Sequence, residues 1–326
     1  MNNYSRTLSL AMLVHCNINS FPIRQCTKGG VGETVPHAWG VLSERSERRR
    51  GACPPSGSAL APSRGNKSLS DNALVAPAII SGRLTTADNT KIAYRHYKNG
   101  HRNVIIIAPG FYNSKDAVLL QGLKDKLIDS YDVIMFDFRG HGRSSGLFYW
   151  TSKEGFDLQA VSDYAGKEYE KIGLIAFSLG AATAINFIAE SDAINSLVAI
   201  SAPSDPNKID YRFWELSIKG DLLYTFGKEG KIGRGVRLGP FWFKKARPID
   251  VADKIICPVF YIHGDKDWVI DYQNSKKLYN KTVSKKQIKI VKGGTHAEYL
   301  LKDDAQDIIG LIKSWFAATI TNGEEK

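Results

Sequence analysis

From residue 78 onward the chain alternates two kinds of hydrophobic pattern. Short runs such as NVIIIAP (Asn103 to Pro109), DVIMFDF (Asp132 to Phe138), IGLIAF (Ile172 to Phe177) and SLVAISAP (Ser196 to Pro203) are apolar at nearly every position. Continuous apolar runs of that length predict strands buried on both faces rather than strands with one wet side. Between them lie longer segments with apolar residues at helical spacing: KDAVLLQGLKDKLIDS (Lys115 to Ser130), EGFDLQAVSDYAGKEY (Glu154 to Tyr169) and LGAATAINFIAES (Leu179 to Ser191). GRLTTADNTKIAYRHY (Gly82 to Tyr97) predicts a leading hairpin, with His96 and His101 flanking its exposed end. PVFYIHG, YQNSKKLYNK, KQIKIVKGG and DAQDIIGLIKSWFAA repeat the rhythm at the C-terminal side, and no internal sequence repeat is evident. Strands alternating with helices predict an α/β fold, a mostly parallel central sheet with helices on both faces. The alternation breaks between Pro203 and Asp250. That segment holds eight aromatics (Tyr211, Phe213, Trp214, Tyr224, Phe226, Phe241, Trp242 and Phe243) among many Lys and Arg, and predicts a short cap insertion over about 203–250.

Residues 1–77 follow neither pattern. The stretch SERSERRRGACPPSGSALAPSRG (Ser43 to Gly65) is rich in Ser, Arg, Gly and Pro, with no apolar period that could bury a face. We expect an N-terminal extension here, disordered or targeting, ahead of one domain over 78–326. Arg6 precedes a short apolar run, Leu8 to Val14, which would serve export or organelle targeting if it is a signal; the run is short and no small-x-small cleavage site follows it. An unstructured extension on a cytoplasmic protein is therefore the favoured expectation. No run approaches the roughly 18 apolar residues of a spanning helix.

Charge and cysteines narrow the function classes. The net charge is +11, but the first 80 residues carry nine Lys and Arg against four Asp and Glu, leaving 35 against 29 in the remainder. An excess of six spread over a domain argues against nucleic acid, whose partners concentrate a basic stripe. Cys16, Cys26 and Cys53 fall in the extension and Cys257 stands alone, so neither a zinc spacing nor a disulfide framework emerges.

The chemistry concentrates at three strand ends. Ser178 sits between the apolar run LIAF and the helical run LGAATAI, with Ala176 two before it and Gly180 two after. A serine on a sharp strand-to-helix turn needs small neighbours at those two positions and lifts its hydroxyl clear of the sheet. The helix beginning there directs its first amides at an anion forming beside the serine. A hydroxyl needs a base, and the base an acid. His296 follows KQIKIV in GGTHAEY, and Asp267 follows PVFYI in HGDKDWV. Asp265 competes for the acid, with the Gly-x-x-Asp spacing favouring Asp267. His263, at the last strand position, is read as structural. The glycine-rich stretch FDFRGHGRSSG (Phe136 to Gly146), which contains His141, is read as scaffold braced by Asp137 and Arg139; it lacks the Lys-Ser/Thr of a phosphate-binding loop.

Taken in order, FDFRGHGRSSG, IAFSLGAA, IHGDKDWVI and GGTHAEY make the chain from about Ala78 onward resemble α/β-hydrolases of the serine aminopeptidase-like and monoacylglycerol lipase-like group. The resemblance implies an α/β-hydrolase fold with Ser178 as nucleophile, Asp267 as acid, His296 as base, and the backbone N–H groups of Phe111 and Leu179 as oxyanion donors. It implies no cofactor and no metal. Two departures stand out: Ala176 replaces the family's glycine, and PGFYN (Pro109 to Asn113) replaces a loop that ordinarily begins His-Gly, so that loop lacks its bracing histidine.

The expected activity is hydrolysis of a carboxylic ester of a small acyl or lipid-like substrate through an acyl-enzyme, with the cap choosing the acyl group. An aminopeptidase or thioesterase would use the same three residues, and a silent binding module is the remaining alternative. An aminopeptidase would need a carboxylate for a free amino terminus, for which Glu215, Asp221 and Glu229 are candidates. Contact with a membrane surface has no specific support in the sequence, and the oligomeric state leaves no mark in it.

Overall fold

A computed structural model describes residues 77–209, 211–216, 227–240, 242–302 and 305–321. The N-terminal extension through residue 76, with Cys16, Cys26 and Cys53, lies outside the described residues, as do Asp221, Tyr224, Phe226 and Phe241 of the insertion and the side chain of Glu229.

Eight strands form one sheet. They are β1 (Ala78–Thr85), β2 (Lys91–Lys98), β3 (Asn103–Ala108), β4 (Asp132–Phe136), β5 (Lys171–Phe177), β6 (Ser196–Ile200), β7 (Val259–Gly264) and β8 (Lys286–Val291). The spatial order is β1-β2-β4-β3-β5-β6-β7-β8. β1 pairs β2, and β2 pairs β4, antiparallel; the remaining neighbours run parallel. The intervening helices are α1 (Val118–Leu127), α2 (Gly155–Ala165), α3 (Leu179–Ile188), α4 (Lys228–Lys231), α5 (Pro248–Val251), α6 (Gln273–Lys281) and α7 (Ala305–Phe316).

The apolar runs make physical sense on this frame. Along β3, Val104 and Ile106 enter one core with Leu158 and Val161 of α2 and Ile185 of α3. Ile105 and Ile107 enter a second with Leu120, Leu123 and Leu127 of α1 and Ile312 and Phe316 of α7. Successive side chains point to opposite faces, so a strand covered on both sides must be apolar throughout. Each such side chain contributes roughly 1.5–3 kcal/mol by leaving water.

Two local expectations need correction. His96 is fully buried rather than at an exposed hairpin end: its ring nitrogens lie 2.6 Å from the Tyr169 hydroxyl and 3.1 Å from that of Tyr164. Tyr169 in turn donates to Asp132 at 2.6 Å. The alternation of β2 carries His96 onto the face where Tyr164 of α2 and Tyr169 lie, a cover that a hairpin reading does not supply. The second helix also stops early, at Ala165, with Gly166 as its C-cap, leaving Tyr169 to cap this network.

The insertion leaves the sheet after β6 and returns at β7. It includes a 3-10 turn at Phe213–Glu215, α4, an extended strip and α5. The strip touches the core loops through isolated bridges pairing Arg234 with Asn113, Val236 with His141 and Leu238 with Phe148. Among the described residues no helix is long and apolar enough to cross a membrane.

Candidate active site

The turn between β5 and α3 holds Ser178 at φ 51° and ψ −120°, a region that side chains resist. Its neighbours explain how the strain is held. A Cβ on Gly180 would fall well inside 3.0 Å of the Pro109 carbonyl oxygen, and one on Gly110 would lie 3.3 Å from the Ser178 Cβ. Glycine at both places lets the loop after β3 pack directly against the turn. The Ser178 amide donates to Ile200 O at 2.8 Å, anchoring the turn to β6.

Three of the residues singled out in the sequence converge here. His296 Nε2 lies 3.0 Å from Ser178 Oγ, and His296 Nδ1 lies 2.8 Å from Asp267 Oδ2 and 3.0 Å from Oδ1. With Nδ1–H facing a carboxylate, Nε2 is left to accept from the serine hydroxyl. Asp267 is fully buried and accepts two further hydrogen bonds, from the amides of Val269 and Ile270, each at 2.9 Å. Burial alone would raise its carboxyl, but the imidazoles of His296 and His263 outweigh burial and hold it well below the usual carboxylate range.

His263 is closer to the chemistry than its strand-end position suggested. Its Nε2 lies 3.1 Å from Asp267 Oδ2 and 2.9 Å from Ile270 O, while its Nδ1 lies 2.7 Å from Ser275 Oγ. Two acceptors at Nε2 require the proton there, so a neutral ring accepts the Ser275 hydroxyl at Nδ1. His263 therefore holds Asp267 through Oδ2, the oxygen that also lies nearest His296 Nδ1, while Oδ1 takes the two backbone amides. The rival carboxylate, Asp265, is occupied elsewhere: it accepts the Gly293 amide at 2.7 Å and braces the turn leading to His296. Beyond His296, Ala297 has φ 50° and donates its amide to Ser201 Oγ at 2.9 Å.

The loop after β3 carries Phe111 beside the turn. It lacks the histidine common in such loops, and His141 of the glycine-rich stretch supplies the brace instead. His141 Nε2 accepts the Tyr112 amide at 3.1 Å and its Nδ1 donates to Arg139 O at 3.1 Å. Burial lowers the His141 pKa to about 4, which keeps the ring neutral and able to accept. The scaffold reading of this stretch holds in detail. Asp137 accepts the Lys115 amide at 2.8 Å and pairs with the Lys115 ammonium at 2.7 Å. Arg139 forks onto Asp157 and Asp88. The hydrogen bond of Arg139 holds the Asp88 carboxyl well below its ordinary range.

Only part of the insertion's aromatic content falls on residues the structure describes. Of its described aromatics, Trp214, Trp242 and Phe243 are exposed, and Tyr211 leans on Trp268 with ring centroids 6.3 Å apart. Among the described residues, Phe148 and Trp150 form an aromatic wall beside the loop. Phe111 stacks on Trp150 at 5.2 Å and tilts against Phe148 at 5.5 Å. Glu215 is engaged by Arg212 and Lys266, each at 3.0 Å. Among the described residues no cluster of three or more His, Cys, Asp or Glu is arranged to hold a metal ion.

Comparison with known proteins agrees with this architecture. Residues 103–231 match the model of the alpha/beta hydrolase fold family, and residues 246–302 match that of the serine aminopeptidase family S33. The chain belongs to the α/β-hydrolase superfamily. An uncharacterized protein of Bacillus subtilis is 29% identical over 185 residues, spanning 51% of this hydrolase and 56% of the relative, so the match spans just over half of that relative's length. Among solved structures, an esterase of Pyrococcus furiosus superposes with a TM-score of 0.60 at 22% identity, over 78% of this chain and 97% of that one. An esterase from a Rhodococcus species gives 0.60 at 18% identity, over 73% and 99%.

Several residues of this hydrolase were missed by sequence reasoning: His141 as the loop brace, Ser201 as the anchor of Ala297, and Asn113, Arg234 and Glu298. Only His263 left a usable signal, lying one helical turn's count before Asp267 at a strand end.

Proposed function

We propose that the protein is a serine carboxylic-ester hydrolase. The observation that carries the reading is the run of contacts from Ser178 Oγ to His296 Nε2 at 3.0 Å and from His296 Nδ1 to Asp267 at 2.8 Å. In this reading Ser178 Oγ attacks the ester carbonyl carbon while His296 Nε2 takes its proton. The carbonyl oxygen becomes an oxyanion held by the amides of Phe111 and Leu179. As the carbon–oxygen bond to the alcohol breaks, His296 returns the proton to the departing oxygen. Water then attacks the acyl carbon as His296 takes its proton, and His296 returns that proton to Ser178 Oγ as the acyl–oxygen bond breaks and the acid leaves. Asp267 holds the imidazole and balances its charge in both halves.

Proteins described as esterases share this fold, and residues 246–302 match the serine aminopeptidase family, so the choice of ester over peptide rests on the cap residues. Glu215, the candidate amine receptor among the described residues, is already paired with two cations, which weighs against an aminopeptidase. The test is release of p-nitrophenol from acetyl through dodecanoyl esters by the wild type and Ser178→Ala. Turnover lost in the variant is expected; equal rates in both proteins, or none in either, would remove the serine-esterase reading. The chain-length profile gives the acyl preference.

A further inference from the structure

The loop bearing Phe111, the turn bearing His296 and the cap insertion meet at one carboxylate. Glu298 is 4% exposed and lies two residues beyond His296, inside the 3-10 turn Ala297–Leu301 that His296 caps. Its Oε1 accepts Asn113 Nδ2 at 2.5 Å and pairs with the Arg234 guanidinium at 2.9 Å. Asn113 is itself buried and follows Phe111 by two residues; its amide donates to Gly110 O at 3.3 Å, closing the loop as a turn. Arg234 belongs to the insertion, and its guanidinium also lies 5.5 Å from the Tyr299 ring centroid. The backbones follow the side chains: Gly235 donates to Tyr112 O at 3.0 Å, and Arg234 bridges Asn113. A buried carboxylate is costly unless paired, and here one oxygen is shared by the loop after β3 and the insertion, which also meet through backbone bridges.

We infer that Glu298 is a positioning residue that clasps the cap strip to the loop after β3, so that seating of the cap sets the place of the Phe111 amide. The inference rests on the esterase reading for its kinetic consequence, but the clasp is a physical statement on its own. Glu298 touches no reacting atom. It acts through Asn113 on the loop and through Arg234 on the cap, and its backbone keeps both in register with His296.

Two measurements separate the clasp from the chemistry. Amide hydrogen exchange on the full chain should show Asn113 and Gly235 protected in the wild type and exchanging about 10-fold faster or more in Glu298→Ala. Unchanged exchange there would overturn the clasp whatever the protein hydrolyses. In p-nitrophenyl ester turnover, Glu298→Ala should lower kcat by roughly 10- to 100-fold with KM within about 3-fold, the signature of an oxyanion donor displaced rather than of binding lost. Glu298→Gln keeps an acceptor oxygen and should restore most of that kcat. Asn113→Ala combined with Glu298→Ala should be no worse than Glu298→Ala alone, because both act on one connection. Additive losses, or a kcat drop that the glutamine fails to restore, would make Glu298 a packing residue only. Failure of the esterase reading shows separately, as turnover that survives Ser178→Ala.

Discussion

A single methyl group at position 180 is expected to cost this hydrolase most of its turnover while leaving it folded. The Cβ of Gly180→Ala would fall well inside 3.0 Å of the Pro109 carbonyl oxygen and 3.1 Å from its carbon. Both are backbone atoms, so no side chain can swing aside. Ordinary contact begins near 3.4 Å, and the loop after β3 must retreat by a sizeable part of 1 Å. Pro109 is two residues before Phe111, so the retreat is passed to the proposed oxyanion donor. Misplacement on that scale costs on the order of 100-fold in rate, and complete loss of one donor costs about 100- to 1,000-fold. Stability should change little. Overpacking costs about 1–3 kcal/mol, while alanine recovers up to about 1 kcal/mol of helix propensity in α3. The assay is kcat and KM on p-nitrophenyl butyrate alongside a thermal melt, with Gly122→Ala as control, since nothing lies within 4 Å of a Cβ there. A Gly180→Ala enzyme with kcat within about 3-fold of wild type and an unchanged melt would refute the argument that this close approach places the Phe111 amide.

Two further outcomes follow from the electrostatics. Asp267→Asn should lower kcat by roughly 1,000-fold or more at neutral pH, because the amide no longer dictates a proton on His296 Nδ1; steady-state kinetics with a circular dichroism check of folding would measure it. His141 stays neutral in the folded protein down to about pH 4, whereas in the unfolded chain it takes up a proton near 6.5. The unfolded state thus binds the extra proton, so this contribution to stability is complete above pH 6.5 and is lost as pH falls toward 4. The loss should approach about 3 kcal/mol. Urea midpoints at pH 7 and pH 5 should therefore diverge less in His141→Gln than in the wild type.

The strands, their parallel order and the convergence of Ser178, Asp267 and His296 were legible because each rests on local chemistry. An apolar run marks a strand covered on both faces, and a serine between small residues marks a tight turn. What was illegible depends on partners distant in sequence. His96 reads as a hairpin histidine until Tyr164 and Tyr169, 68 and 73 residues on, are known to lie against it. His141 braces a loop 29 residues away, and Glu298 meets Asn113 across 185 residues. The insertion's composition was less informative: of its described aromatics Trp214 and Trp242 face water, while Phe148 and Trp150 pack beside Phe111. Composition reports how much apolar surface a segment owns and leaves open which way it turns.

The order of strands in the sheet also bears on how the protein comes into being. Ser178 emerges from the ribosome long before His296, 118 residues later. β8, which delivers the imidazole, joins at the far edge beside β7. A half-made chain that ends before β8 therefore carries the Ser178 hydroxyl without the imidazole that the complete fold sets beside it. On the proposed mechanism, the serine gains its base only once β8 has joined β7 and brought His296 Nε2 to 3.0 Å from Ser178 Oγ.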